Sequence, residues 1–367
     1  MTKKWIFHVL VIIGLFFSPA TSQAKTTFAV VGGMSGPLEQ VGNWFKNGAQ
    51  GAVEEINSSG GLLGDQVEFI VRDDECDPVK AKAIAEELAE LKIPFVMGHL
   101  CSDASIAASG IYEKNGIIAI SPASTNPALT ENGMSNIFRT TGRDDMQGFV
   151  LAEHILRNYK TKTLAIVYDP SIYSRGVVDV AKKALNQAGK QEVFFEQAPE
   201  APFDFSKLFD KIEEKKVQVL LYPAMMNQMA ELAKQRKKRG LKFQLIGGDT
   251  FTNLILDKKD VRLFDGVQFS FGPDPSHDRR NKSIVKKYKA KGIKPEAFTF
   301  YSYAAIQVWA LAVREAGTVK ATEVSKVLKS KKFDTVLGEI SFDEKGDIST
   351  PGFVIYIYNK GKQYYFE

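Results

Sequence analysis

The sequence predicts an α/β protein with two domains, each built on a mostly parallel β-sheet that helices cover on both faces. Short apolar segments rich in β-forming residues alternate with amphipathic segments of helical length, and this alternation begins near residue 27 and again after Gly142. The strand segments are mostly apolar, as in sheets that are buried on both sides. The chain has 367 residues, more than one hydrophobic core usually holds. Length and repeated alternation together indicate two domains.

The first series of alternating segments runs from residue 27 to residue 120. Pro78 stands near the start of the second helical segment, where the missing N–H is not needed. Ser102 stands at the head of the third, as expected for a helix start. The predicted strands are 27–31, 66–71, 95–97 and 117–120, and the predicted helices are 44–56, 78–91 and 102–114.

The second series repeats the pattern, and a group of later elements follows it. The second series has predicted strands 163–168, 192–196, 217–221 and 244–246, and predicted helices 174–188, 205–215 and 226–239. The later elements are predicted helices near 283–290, 296–316 and 322–329, and strands 340–342, 353–358 and 363–366. We expect the later elements to join the first two domains, because they are too few to form a third core.

The first 24 residues have the three-part pattern of an export signal. Lys3 and Lys4 form a basic start, residues 5–17 are an apolar run, and Ser22 and Ala24 are small residues at −3 and −1 of a cleavage site. The run is too short and wrongly flanked for a permanent membrane span. We expect cleavage after Ala24, and no lipid anchor, since no cysteine stands directly after the apolar run.

The charge balance does not favour a nucleic-acid partner. Removal of residues 1–24 takes away two lysines and no acid, so the formal net charge falls from +5 to +3. A nucleic-acid-binding protein needs a concentrated basic face, which this balance does not predict. The basic run 234–239 closes a predicted helix, where cations suit the helix dipole and a solvated surface.

The chain has only two cysteines, Cys76 and Cys101. Two thiols exported into an oxidising compartment are expected to form a disulfide, which closes a loop of about 25 residues and stabilises the fold by about 3 kcal/mol. Two alternatives stay open. The thiols are unpaired and buried, or they form a metal site with His99, which lacks further ligands at metal spacing.

The sequence predicts neither an enzyme nor a cofactor or metal site. His99, His154 and His277 lie in no arrangement typical of a catalytic triad or a metal cluster. Residues 33–37 (GMSGP) resemble a nucleophile elbow, but a proline replaces the final glycine, so a tight turn is the better interpretation. The acidic run 73–75 supplies too few oxygens at once for a hard cation.

Two predicted loops place hydroxyl groups at one edge of the first sheet. Ser102 begins a predicted helix, and residues 121–125 (SPAST) follow a predicted strand and end near another helix start. In a parallel sheet both loops emerge at the carboxyl edge, where ligands of α/β proteins bind. Two helix starts with hydroxyls suit a carboxylate. Simple N-capping by Ser102 explains the same residues equally well.

Several segments, in order along residues 27–347, resemble the leucine/isoleucine/valine-binding proteins of bacterial ABC transporters. The matching segments are 33–37, 73–78, 98–102, 139–142, 303–305, 334–338 and 343–347. The resemblance implies the type I periplasmic binding protein fold, in which two α/β lobes joined by three hinge crossings close on a ligand. It implies that lobe 1 comprises 25–142 plus 273–340 and that lobe 2 comprises 143–272 plus 341–367.

The resemblance also implies a function. An exported, monomeric periplasmic protein would capture a free amino acid with a branched-chain or other apolar side chain and deliver it to a membrane ABC permease. Two alternatives stay open. The protein binds amides or aromatic acids, or it senses a ligand for a membrane receptor.

Carried over by position, the resemblance assigns roles to individual residues. Ser102 and Thr125 would bind the α-carboxylate through hydroxyl and backbone N–H groups, and the Ala123 carbonyl would accept from the α-ammonium. Asp249 stands where the family usually has a glutamate that neutralises the ammonium, and Tyr173 matches a tyrosine that closes over the ligand. Two opposite charges that leave water need partners of this kind.

The predicted side-chain pocket departs from the family pattern. Val41 stands in place of an aromatic ring and Met225 in place of a tyrosine, which predicts a softer pocket. Phe298 or Phe300 supplies an apolar wall or belongs to the helix core, and Trp44 is a substitute for the missing ring. The predicted ligand-binding residues are Val41, Leu100, Ser102, Ala123, Ser124, Thr125, Tyr173, Met225, Asp249 and Phe298.

Overall fold

The computed structural model describes residues 25–252, 261–350 and 352–366. The predicted export signal, residues 1–24, lies outside the described residues, so its cleavage stays a prediction. The described chain contains two large β-sheets flanked by helices and a small two-stranded sheet. The predicted α/β fold class with two mostly parallel sheets is therefore confirmed.

The first sheet has five parallel strands. Its elements, with the helices between them, are β1 (Lys25–Gly32), α1 (Glu39–Ser58), β2 (Gln66–Asp73), α2 (Pro78–Glu90), β3 (Phe95–Met97), α3 (Ser102–Asn115), β4 (Ile118–Ser121) and β5 (Ile137–Arg139). The strand order is β2-β1-β3-β4-β5. Successive side chains of β1 point to opposite faces, so Phe28 and Val30 pack toward α1 whereas Ala29 and Val31 pack toward α2 and α3. Helices thus bury both faces of the sheet.

The second sheet begins with a parallel series of five strands. Its elements are α4 (Asp144–Asn158), β6 (Leu164–Tyr168), α5 (Ile172–Gln187), β7 (Glu192–Gln197), α6 (Ser206–Glu214), β8 (Val219–Leu221), α7 (Met226–Arg239), β9 (Gln244–Gly247) and β10 (Gln268–Phe271). In β6, Ile166 packs toward α4 and α5, and Val167 packs toward the opposite face with α6 and α7. The parallel strands lie in the order β7-β6-β8-β9-β10.

The later elements join these two sheets, as predicted. They are α8 (Lys282–Ala290), α9 (Thr299–Ala316), α10 (Ala321–Ser330), β11 (Lys332–Thr335), β12 (Gly338–Ser341), β13 (Val354–Asn359) and β14 (Lys362–Tyr365). Helix α9 lies beside α1 and stacks Trp309 on Phe95 of β3, with ring centroids 4.5 Å apart. β13 and β14 extend the second sheet by antiparallel pairing at β10. β11 and β12 form a separate hairpin.

The chain passes between the two sheets three times: after β5, after β10 and before β13. Buried Arg139 at the first passage forms an ion pair with Asp347 near the third, with 2.7 Å between Nε and Oδ1. Arg143 reaches the other oxygen of the same carboxylate at 2.6 Å. These ion pairs fix two of the three connections to each other. Residues 342–348 still contact the first sheet, and the predicted lobe boundaries stay a prediction.

Four of the α-helices and strands described above were not predicted: β5, α4, β10 and β11. Helix α1 also starts at Glu39, five residues before the predicted start at 44. Among the described residues, no helix combines the length and the apolar character that crossing a bilayer requires.

Candidate functional site: a cavity between the two sheets

A cavity of roughly 220 Å³ lies between the carboxyl edges of the two sheets. It is smaller than the roughly 300–1,000 Å³ that is common for drug-sized ligands, so it suits a small metabolite. Loops and helices at the edges of both sheets line it, and nine of the ten predicted ligand-binding residues are among the lining residues. The cavity therefore brings together residues as far apart in sequence as Val41 and Phe298.

The end of the cavity formed by the first sheet offers hydrogen-bond donors. Ser102 is the first residue of α3, and the preceding residue, Cys101, gives the helix no side-chain cap. The N–H groups of the first turn therefore have no partner within the helix. The Asn126 N–H donates to the Ser102 hydroxyl oxygen (3.2 Å), which leaves the Ser102 hydrogen available for a ligand. Thr125 and Ala123, both buried, line the same end.

The predicted disulfide between Cys76 and Cys101 is confirmed, with 5.4 Å between the Cα atoms. Both cysteines line the cavity, and Cys101 directly precedes the start of α3. The alternative of a metal site gains no support. His99 instead lies 2.5 Å from Asp74 and 2.8 Å from the Tyr112 hydroxyl. Within the described residues there is no group of three His, Cys, Asp or Glu side chains that could hold a metal ion.

The end formed by the second sheet carries a buried acid. Asp249 follows β9, and its backbone N–H donates to the Tyr173 hydroxyl at 3.1 Å. Burial raises the pKa of the Asp249 carboxyl to about 6, and the neighbouring Tyr173 hydroxyl and Gln147 side chain offset only part of the rise. Ser171 caps α5 by accepting from the Ser174 N–H (3.1 Å), which fixes the helix start that carries Tyr173.

A second buried carboxyl lies close to the first. Asp144 begins α4 and is fully buried, and neither carboxyl oxygen makes a hydrogen bond of ordinary geometry with the described residues. Burial raises its pKa well above the usual range, the neighbouring Asp249 raises it further, and the Thr125 hydroxyl and Arg139 act in the opposite direction. Asp144 was not among the predicted site residues. Asp249 lines the cavity and Asp144 does not, so Asp249 is the acid that a cationic group of a ligand would meet at this end.

Apolar side chains form the rest of the wall. Val41, Leu100, Met225 and Phe298, which were predicted to contact the ligand, line the cavity, and Trp44 does so too. The rings of Trp44 and Phe298 lie 6.5 Å apart between centroids. Phe300 is buried in the core and does not line the cavity. The wall therefore combines a rigid aromatic pair with a flexible methionine, which adapts to different apolar shapes.

Ser124 departs from the predicted site. Its hydroxyl lies 2.6 Å from the Ser105 hydroxyl and within reach of the Leu100 carbonyl (3.1 Å), and it does not line the cavity. These contacts fix the loop after β4 against α3. The geometry thus gives Ser124 a structural contact in place of the predicted ligand contact.

The two halves touch at the cavity through the peptide groups of Ile172. The Asn126 side-chain amide, from the first half, donates to the Ile172 carbonyl of the second half at 3.0 Å. The Asp103 carboxyl lies beside the Ile172 N–H. Burial raises the pKa of Asp103, and the N–H offsets part of this rise. Ile172 precedes Tyr173, so these contacts hold a cavity wall from the other half. The structure is thus a closed arrangement of the two halves.

Two α/β halves that close on a small cavity, with donors at one end and acids at the other, define a cleft-type solute-binding protein. The sequence model of the family described as periplasmic binding protein matches residues 25–362. The chain therefore belongs to the periplasmic binding protein family. The predicted resemblance to the leucine/isoleucine/valine-binding branch is confirmed as well.

The similar proteins include both amino-acid and aromatic-acid binders. The chain is 37% identical over 360 residues to a Leu/Ile/Val-binding protein homolog of Brucella abortus, which covers 98% of this chain and 97% of the relative. A branched-chain amino acid transporter substrate-binding protein of Streptococcus pneumoniae, solved with isoleucine, is 25% identical with a TM-score of 0.80, over 93% of this chain and 97% of the other. A solute-binding protein of Rhodopseudomonas palustris, solved with 3,4-dihydroxybenzoic acid, has a TM-score of 0.80 at 20% identity, over 93% and 95%.

Proposed function

We propose that this protein is an exported periplasmic solute-binding protein that captures a free amino acid with a branched or other apolar side chain and passes it to a membrane ABC permease. The single observation that carries the proposal is the polarity of the cavity. It has hydrogen-bond donors at the start of α3, a buried acid at Asp249, and an apolar wall beside them. This arrangement matches the two charges and the side chain of an apolar amino acid.

The ligand carboxylate would lie at the start of α3. The free N–H groups of the first turn and the Ser102 hydroxyl would donate to it, and the positive end of the helix dipole adds to the attraction. Thr125 would donate from the facing loop. Charge-assisted hydrogen bonds of this kind are strong where water is excluded.

The ligand ammonium would lie between Asp249 and the Ala123 carbonyl. A buried carboxylate without a partner is costly, so an ammonium at this point removes an unfavourable state of the empty protein. Tyr173 would pack over the ligand from the second half, and closure of the two halves would exclude water. Hinge motion around the three connections would then open the cavity for release.

A ligand panel tests the proposal. Mature protein is unfolded and refolded to remove carried ligand, and thermal stability is then measured with all twenty amino acids, simple amides and aromatic acids. A micromolar ligand at millimolar concentration adds about 4 kcal/mol of stability, and we expect leucine, isoleucine, valine or a larger apolar amino acid to give this shift. A response to amides or aromatic acids alone, with none to amino acids, would contradict the proposal.

Binding of the amino acid is expected to weaken about tenfold between pH 7 and pH 5. The pKa of Asp249 is raised to about 6 in the empty cavity, so the carboxyl is mostly ionised at pH 7 and mostly protonated at pH 5. The ligand ammonium needs the ionised form of Asp249. Because one proton must leave each site on binding, the affinity falls about tenfold for each pH unit below 6. Calorimetric titration at several pH values measures this slope.

Ionisation of Asp249 strengthens ligand binding but lowers the stability of the empty protein. The folded state binds the Asp249 proton more tightly than the unfolded state, so this group destabilises the empty fold as pH rises through 6. The stabilisation by ligand should therefore be larger at pH 7 than at pH 5. In an Asp249→Asn variant, which cannot titrate at this position, the stabilisation by ligand should be the same at pH 7 and pH 5. A wild-type protein whose stabilisation by ligand is also independent of pH would contradict the assignment.

Replacement of Asn126 by alanine is expected to weaken amino-acid binding about five- to tenfold, chiefly through faster release. The change removes the hydrogen bond to the Ile172 carbonyl across the cavity, and one such bond is worth about 1 kcal/mol. Stopped-flow measurement of dissociation tests this. Asn132→Ala is a matched control, because the exposed Asn132 amide bonds only within its own loop, to the Ala128 carbonyl. Equal release rates for the two variants would show that the contact does not hold the closed form.

A further inference from the structure

Residues 279–294 contain eight lysines and arginines and no acidic residue. All eight side chains are exposed. Without residues 1–24 the formal net charge of the whole chain is +3, so the rest of the chain carries a net charge of −5. The chain is therefore near neutral in total but has a strongly basic region centred on α8.

Five of the eight cations make no ion pair with the described residues. Three do have partners: Arg280 pairs with Asp278 (2.5 Å), Lys291 with Glu54 (2.5 Å), and Lys294 with Glu296. The remaining five form what we call the α8 basic surface. Its members are Arg279, Lys282, Lys286, Lys287 and Lys289.

The α8 basic surface does not contribute to the packing of the helix. Tyr288 fixes the other side of α8 to the first half, where its hydroxyl donates to the Asn47 carbonyl at 2.8 Å. Lys282, Lys286 and Lys289 are spaced i, i+4 and i+7, so they lie along one outward face. Like charges at this spacing destabilise a helix. A partner that supplies negative charge would relieve this repulsion.

The residue composition of the α8 basic surface indicates which class of partner it suits. Protein interfaces are depleted in lysine and depend on aromatic and arginine anchors. Four of the five cations are lysines, and the one aromatic residue of the segment, Tyr288, is buried. Lysines act as flexible point charges, which suit a diffuse layer of phosphate groups. An extended nucleic acid would reach beyond this surface and be repelled by the net negative charge of the rest of the chain.

We propose that the α8 basic surface docks the protein on the anionic phospholipid headgroups of a membrane. Attraction of this kind needs no insertion, and it depends on the number of cations near the surface and on ionic strength. The uneven charge distribution would also orient the molecule, with α8 toward the lipid. Docking is independent of the amino-acid ligand. It would keep the protein close to a membrane while the cavity stays free to bind.

Sedimentation with lipid vesicles tests the proposal. The mature protein is mixed at low salt with vesicles of phosphatidylglycerol and phosphatidylcholine, or of phosphatidylcholine alone. We expect binding to the anionic vesicles only, and its loss at about 0.5 M salt, where the screening length is only a few ångströms. Each lysine near the surface contributes about fivefold, so the triple variant Lys282→Gln, Lys286→Gln and Lys289→Gln should bind roughly a hundredfold more weakly.

A second triple variant separates location from total charge. Lys234→Gln, Lys237→Gln and Lys238→Gln remove three exposed lysines from α7, with the same change in net charge. We expect this control to bind vesicles like the wild type, and thermal unfolding checks that both variants are folded. Equal loss in both variants, no binding to anionic vesicles, or equal binding to phosphatidylcholine would each overturn the proposal. Binding to a polyglutamate peptide but not to vesicles would identify an acidic protein as the occupant and would overturn it too.

Discussion

Replacement of Asp249 by asparagine is expected to weaken the binding of an apolar amino acid by at least about 30-fold. Removal of one partner of a buried charge pair costs about 2 kcal/mol or more, because the other charge stays buried without compensation. Asparagine keeps the shape of the side chain, so the loss reports the charge. Calorimetric titration at pH 7 with the ligand that the panel identifies gives the two dissociation constants.

The same ligand without its amino group is the matched control for this variant. If leucine is the ligand, 4-methylpentanoic acid keeps the carboxylate and the apolar side chain and has no ammonium. It should bind the wild type weakly, since Asp249 then stays unpaired, and it should bind the Asp249→Asn variant at least as well. The two proteins and two ligands form a cycle whose coupling energy isolates the ammonium–Asp249 contact. A coupling energy near zero would remove the assignment.

The sequence predicted those elements best whose side chains follow a clear apolar pattern. The predicted bounds of β3 and α7 agree with the structure residue for residue. The missed helix α4 and strand β10 have polar residues on their buried sides, which hide the pattern. These polar residues satisfy each other: His154 lies 2.7 Å from Gln268, and Gln147 donates to Ser270 at 3.0 Å. Such pairing is visible only once the two elements are packed together.

The same reasoning explains what was missed in the candidate site. The residues that surround the cavity were predicted from family position, and nine of ten line it. Asp144 and Asn126 were missed because their contacts join segments that are far apart in sequence, within the second half for Asp144 and Asp249 and between the two halves for Asn126 and Ile172. Asp144, at the start of α4, lies close enough to Asp249 for the two carboxyls to affect each other's charge. The Asn126 amide donates to the Ile172 carbonyl. Ser124 was predicted because it lies between Ala123 and Thr125 in the loop after β4, but its own hydroxyl points back into the first half.

Loss of the disulfide is expected to destabilise the fold by about 3 kcal/mol and to weaken ligand binding as well. The bond joins residues 25 positions apart, and cross-links of this span stabilise a fold by about that amount in the chain-entropy model. Cys101 directly precedes Ser102, so the bond also fixes the helix start at which the carboxylate would bind. The variant Cys76→Ala with Cys101→Ala avoids a new hydroxyl at the N-cap, which would strengthen the helix start and mask the loss.

Denaturant unfolding and ligand titration of the double-alanine variant measure the two effects separately. Addition of dithiothreitol to the wild type should reproduce both losses, and it should leave the variant unchanged, because the chain has no other cysteines. If stability falls while affinity stays constant, the start of α3 is held by its other contacts, such as the Asn126 hydrogen bond to Ser102. The disulfide would then stabilise the lobe without shaping the binding site, and the donor end of the cavity would be preorganised by its hydrogen bonds.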